Sequence, residues 1–149
     1  MAARLNCPDI VDFLIDGGAD VSTSDNLGNT PLHITSDART AGILIDKGAG
    51  VSTLNNARQT PLHTALSRKN TAVANLLIER GGADISSQDS MGQTLLHIAV
   101  KSDLPEVART LIQKGVDTTL PDTEGRTALH LAVKAENVEV VRTLISNGS

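Results

Sequence analysis

The sequence predicts an all-α solenoid, a single domain over residues 1–149 built from stacked helix–turn–helix units. Two observations predict it. A four-residue motif recurs in register as Thr30-Pro-Leu-His33, Thr60-Pro-Leu-His63, Thr94-Leu-Leu-His97 and Thr127-Ala-Leu-His130, at spacings of 30, 34 and 33 residues. A fixed period of this size marks stacked supersecondary units. The apolar fraction is 40%, yet Phe13 is the one aromatic residue among 149. A globular core normally uses rings burying about 150–250 Å² each. Leu, Ile, Val and Ala here suit thin layers between repeats.

The units follow in order. Ile10-Val-Asp-Phe-Leu-Ile-Asp-Gly-Gly-Ala-Asp20 is a copy without its first half. The second unit opens on Asp25-Asn-Leu-Gly28, a tight-turn signal in which Gly accepts positive φ. Thr30 then stands where an N-cap is wanted, with Pro31 at the first helical position. This unit is short: Thr30 to Gly48 spans 18 residues where Thr94 to Gly115 and Thr127 to Gly148 span 21. The loss falls around Thr35-Ser-Asp37 and predicts a clipped first helix. In the third unit Thr60 and Pro61 repeat the cap, but Asn55 and Arg58 replace the turn's Asp and Gly, and Gly81-Gly82 adds a residue. Arg58 takes positive φ less readily than Gly, which predicts a distorted turn. The fourth unit is the most regular. Asp89-Ser-Met-Gly92 turns, Thr94 caps, a helix runs through Leu95–Val100, and Lys101, Ser102 and Asp103 break it. Pro105 opens a second helix with Val107, Ala108, Leu111 and Ile112 on one face, and Gly115 closes it. Asp122-Thr-Glu-Gly125 and Thr127 begin the fifth unit.

Composition excludes several function classes. Net charge is −4, which argues against nucleic acid, since phosphate binding needs clustered Lys and Arg and base stacking needs aromatics. The single Cys7 excludes an internal disulfide and a multi-cysteine zinc site, and reads as a half-buried hydrophobe. No apolar run reaches the ~18–20 residues of a membrane span, and the first residues lack a signal peptide's apolar stretch. An intracellular protein, cytoplasmic or nuclear, is expected. The sequon at Asn147 reads as chance. No Gly-x-Ser-x-Gly elbow and no Gly-rich phosphate loop is present, so no enzyme and no cofactor are expected. Four histidines invite a metal, but each occupies one slot of its own repeat, about 10 Å from the next by helix packing. Zinc needs its ligands ~2.0–2.1 Å from one point, so no metal site is expected.

The pattern Asp-x-x-Gly-x-Thr-Pro-Leu-His followed by Gly-Ala-Asp-Val, met at Asp25–His33 and Gly18-Ala-Asp-Val21 and again from Asp122, resembles the ankyrin repeat family over essentially the whole chain. The resemblance implies repeats at about 1–24 (partial), 25–54, 55–88, 89–121 and 122–149. Each would carry two antiparallel helices and a projecting β-hairpin-like loop. It also implies that Thr30, His33, Thr60, His63, Thr94, His97, Thr127 and His130 are structural, the imidazoles bridging neighbouring loops. Ser22, Ser52, Ser86 and Thr118 stand where the family often carries a hydroxylatable Asn, so that modification is not expected.

By the same resemblance a partner protein would meet the loop tips and the inner face of the first helices. The residues mapped there are Leu27, Asn29, Arg58, Arg68, Met91, Gln93, Lys101, Arg126 and Lys134, with Leu27 and Met91 as apolar anchors. Charge varies along the stack, net −4 over residues 1–50, +2 over 51–88 and −2 over 89–149. The five cations lean toward one side and suggest an acidic partner segment. A protein-binding scaffold is therefore expected. The alternatives are a structural spacer in a channel or cytoskeletal adaptor, or a repressor similar to the inhibitors of NF-kappa-B, which share the Gly125–Val133 stretch. Neither end carries a polar capping face, which predicts a longer repeat chain or association through the ends.

Overall fold

A computed structural model of the chain describes residues 8–80 and 82–147. Cys7, Gly81, Gly148 and Ser149 lie outside the described residues, so the readings placed on them stand as sequence readings. The described helices are α1 (Pro8–Asp16), α2 (Pro31–Ile34), α3 (Ala38–Asp46), α4 (Pro61–Ser67), α5 (Thr71–Glu79), α6 (Leu95–Lys101), α7 (Pro105–Gln113), α8 (Ala128–Lys134) and α9 (Val138–Ser146). Among the described residues the only β-pairing is an isolated antiparallel bridge between Gln88 and Thr94. The architecture is an all-α repeat solenoid.

The helices form two layers. First helices α2, α4, α6 and α8 pack in sequence, and each also packs on the second helix of its own repeat. In the second layer α1 meets α3, α3 meets α5 and α7 meets α9. Between α5 and α7, where Gly81-Gly82 lengthens the connection, the seam is the loosest of that layer.

The repeat period explains the core. Leu32, Leu62 and Leu96 fill one slot in the first layer, and Leu44, Leu77, Leu111 and Leu144 fill one slot in the second; all are buried. Ala41, Ala74 and Ala108 in the second layer, and Ala65, Ala99 and Ala132 in the first, are buried at contacts where small side chains let helices approach. Close-packed layers of Leu and Ala leave no space that a ring would fill. Phe13, on α1, is 77% exposed, and Val11 is the buried residue of that helix.

Each first helix begins at its Thr. Thr60 and Thr94 Oγ1 accept from the backbone N–H of His63 and His97 at 3.4 and 3.3 Å. The regular first helices end where Lys69, Asp103 and Glu136 adopt left-handed φ of 57°, 56° and 55°. Lys101 belongs to α6, so the predicted polar break begins one residue later, at Ser102.

α2 has four residues where α4, α6 and α8 have seven, the clipping the missing residues predicted. Its carbonyls do not go unsatisfied. Thr64 Oγ1 donates to His33 O at 3.1 Å, Arg68 Nη1 donates to His33 O and Ile34 O at 3.3 and 3.2 Å, and Asn70 Nδ2 donates to Ser36 O at 2.7 Å. Asp37 then caps α3, accepting from Thr40 N at 2.7 Å.

The turn of the third repeat corrects the sequence expectation. Arg58 adopts φ 57°, and its N–H donates to Asn55 O at 2.9 Å as Gly28 N does to Asp25 O. Asn55 Oδ1 accepts from Ala57 N and Gln59 N at 3.0 and 2.9 Å. The turn is regular because Asn55 reproduces the Asp geometry and adds a donor. Its Nδ2 reaches Asn29 Oδ1 at 2.9 Å in the preceding loop, which a carboxylate could not do.

Candidate protein-binding surface

The loops are built on one carboxylate or amide each. Asp25 Oδ1 accepts from Leu27 N and Asn29 N, and Asp89 Oδ1 from Met91 N and Gln93 N, all at 2.9 Å. Asp122 repeats the pattern with Glu124 N and Arg126 N. Successive tips are tied by backbone bonds: Asn56 N to Leu27 O at 3.0 Å, Ser90 N to Ala57 O at 2.9 Å, and Thr123 N to Met91 O at 3.0 Å. The loops thus form a ribbon, each registered on the one before.

The histidines lock that ribbon to the helices. In all four repeats the Thr backbone N–H donates to the His Nδ1, at 3.1, 3.2, 3.3 and 3.2 Å. An obligatory donor at Nδ1 places the imidazole proton on Nε2. Nε2 of His33 donates to Gln59 O at 3.0 Å and Nε2 of His97 to Arg126 O at 2.8 Å, each in the next repeat's loop. His63 is fully buried and its Nε2 lacks such a bond. The Gln93 carbonyl lies near enough to favour the ring's proton without reaching hydrogen-bond geometry. Burial pushes the pKa of both His33 and His63 below the ordinary histidine value. Among the described residues no three His, Cys, Asp or Glu side chains gather as a metal site would require.

Three cavities lie between the loop tips and the free ends of the first helices. The largest, about 580 Å³, is lined by Leu27, Asn29, Asn56, Gln59, Ser67 and Arg68 among others. The second, about 350 Å³, takes in Gln59, Lys69, Gln93 and Lys101. The third, about 380 Å³, is lined by Lys101, Arg126, Leu131, Lys134 and Ala135. Lys101 is shared by the last two.

A family model of ankyrin repeats (three copies) matches residues 1–89 and again residues 81–149. The chain belongs to the ankyrin repeat family. It is 31% identical over 119 residues to a putative ankyrin repeat protein, FPV219, of Fowlpox virus (strain NVSL), a match covering 80% of this chain and 27% of the viral protein. It is 29% identical over 120 residues to neurogenic locus notch homolog protein 1 of Homo sapiens and of Mus musculus, covering 78% of this chain and 5% of those proteins. The chain therefore spans about a quarter of the first relative and a twentieth of the others. Ankyrin repeats are generally non-catalytic protein–protein interaction modules. Among the described residues no helix is long and apolar enough to cross a membrane.

The mapped ankyrin surface residues divide into two groups. Leu27 and Met91 stand at the tips, 67% and 48% exposed, and Arg58 is exposed, its guanidinium making no hydrogen bond or ion pair among the described residues. Lys134 is likewise exposed and unpaired. The others are engaged within the fold. Gln93 is buried, its Nε2 on Asp89 Oδ2 and its Oε1 receiving Lys101 Nζ at 2.6 Å. Asn29 holds Asp25 and Asn55, and Arg68 caps α2. Arg126 grips Asp122 through Nε and Nη2 at 2.9 and 2.7 Å, and Glu124 through Nη1 at 2.7 Å. Burial alone would raise the Asp122 pKa, but Arg126 and the loop amides outweigh it and hold the carboxyl at about 2. Of the five cations foreseen on this side, Arg126 is thus neutralised by carboxylates, while Arg68 and Lys101 are held by neutral acceptors and keep their charge. Sequence reading missed Lys69, Leu131 and the exposed Leu54. The first follows the α4 cap, Leu131 lies within the Gly125–Val133 stretch without standing out in it, and Leu54 carries no motif.

The opposite, second-helix face is stitched by ion pairs across repeats. Arg39 meets Asp9 at 3.2 Å and Arg80 meets Asp46 at 2.5 Å, while Lys47 contacts Asp12 and Asp16 and Arg109 contacts Glu139. Exposed pairs of this kind contribute about 0–1 kcal/mol each. They leave that face with few unpaired charges.

Proposed function

We propose that this chain is a non-catalytic scaffold that recognises another protein through its loop tips and the groove beneath them, inside the cell, in cytoplasm or nucleus. The observation that carries the reading is the preorganised ribbon: apolar Leu27 and Met91 are held in the open by tip-to-tip backbone bonds. A large side chain fixed before binding loses little entropy on association. Such residues are the usual anchors of an interface.

Selection of a peptide or protein ligand by display against the folded chain tests this. Truncating both Leu27 and Met91 to Ala should speed dissociation by about tenfold or more, the scale of losing anchors that each cost over 1 kcal/mol. Glu106→Ala, on α7, should change nothing. Ligands that bind the double variant as tightly as the parent would sink the reading. A chain that yields no ligand would instead be a spacer.

A further inference from the structure

The last two cavities share Lys101 and differ in what satisfies their cations. In the fourth repeat Lys101, the final residue of α6, gives its ammonium to Gln93 Oε1. The equivalent residue of the fifth repeat is Lys134, the final residue of α8. The slot that Gln93 fills is there occupied by Arg126, which offers no acceptor and is itself held by Asp122 and Glu124. Lys134 therefore lines the 380 Å³ cavity as an exposed ammonium without an acceptor, together with a guanidinium fixed in place and with Lys101. No carboxylate lines that cavity.

α6 and α8 are packed neighbours, and packed helices stand about 8–10 Å apart, which is the distance separating equivalent residues of the two repeats. A β-strand does not match this spacing, because three residues cover about 10 Å but turn the side chains to opposite faces. A polyproline II segment does: three residues per turn with a 3.1 Å rise return a side chain to the same face about 9 Å along. An α-helix returns a side chain to the same face at a comparable distance only after seven residues, about 10.5 Å along, so a helical partner would carry its carboxylates seven residues apart and not three. We propose that the groove across α6 and α8 binds an extended, polyproline II segment of the partner bearing two carboxylates three residues apart, one toward Lys101 and one toward Lys134. The inference rests on the protein-binding reading above and gives it a ligand chemistry and a register.

Labelled synthetic peptides test it, each with two Glu in a Thr/Ser background at separations of two, three or four residues, and one with Pro at both positions between Glu residues three apart. Fluorescence anisotropy at low salt should show separation three binding about two- to fivefold tighter than two or four, the scale of one exposed ion pair gained or lost. Intervening prolines should keep or strengthen binding. Lys134→Glu should abolish the separation preference, Lys134→Arg should retain it, and circular dichroism should show both variants folded. Equal affinities at all separations, loss of binding with proline, or no binding by any peptide would overturn the proposal. The broader reading fails separately, when a display-selected ligand ignores Leu27 and Met91.

Discussion

Arg68 Nη1 donates to the carbonyl oxygen of Ile34 at 3.2 Å, so a side chain of the third repeat finishes the helix that the second repeat cannot complete. The same nitrogen reaches His33 O at 3.3 Å. An unsatisfied carbonyl at a helix end is costly, and a charged donor is a strong remedy. Arg68→Ala should destabilise the protein by about 1–2 kcal/mol, read from the urea midpoint. Arg68→Lys should recover part of that. An unchanged midpoint would show that solvent satisfies the Ile34 carbonyl as well as Arg68 does.

The second and first repeats should open before the rest. α2 is four residues long, and α1 contributes Val11 as its buried residue, so few apolar contacts hold either. Hydrogen exchange should be fastest over residues 8–60, while α6 through α8 exchange last. Uniform protection would contradict this.

Left-handed residues make opposite predictions at equivalent turns. A Cβ on Gly92, at φ 67°, would lie 3.0 Å from Thr123 N, and one on Gly28, at φ 77°, 2.9 Å from Asn56 N. Gly92→Ala should cost about 1–3 kcal/mol, since backbone strain and a clash with the next loop add. Arg58→Gly should stabilise by about 0.5–1 kcal/mol by relieving the same φ at a non-glycine residue. Paired urea melts on the two variants check both signs.

Acid should weaken the stack in two windows. Burial lowers the pKa of His33 and His63 in the fold, so the unfolded chain binds more protons and stability falls as pH drops from about 6.5. The loss levels off below the folded values. Asp122, at about 2 against 3.8 for the free group, gives a second loss as pH falls from near 4 toward 2, again because the folded pKa is the lower one. Urea midpoints between pH 8 and pH 2 should show both steps. A flat profile from pH 7 to 5 would contradict the histidine assignment.

Much of this architecture was legible because its determinants are local and repeated. Thr94, Pro105 and Gly115 announce caps and stops within a few residues, and the shortfall between Thr30 and Gly48 located the clipped helix. The turn at Arg58 was misread because Asn55 Oδ1 accepts from Ala57 N and Gln59 N as an Asp would, and a further tie is not local. Asn55 draws on Asn29, 26 residues earlier, and that partnership exists only once the repeats stack. The same holds for the surface. Arg68, Gln93 and Arg126 occupy exposed-looking slots, but neighbouring loops and helix ends consume their polar groups. Lys134 carried no such signal of being different from Lys101. Its distinction lies in Arg126 standing where Gln93 stands one repeat earlier.

The most direct test of the central claim is the footprint of a display-selected ligand by amide NMR shifts or hydrogen exchange. Changes should fall on residues 25–29, 55–59, 89–93 and 122–126 and on the C-terminal ends of α4, α6 and α8. A footprint on the outward side of α5, α7 and α9, with the loops unchanged, would contradict it.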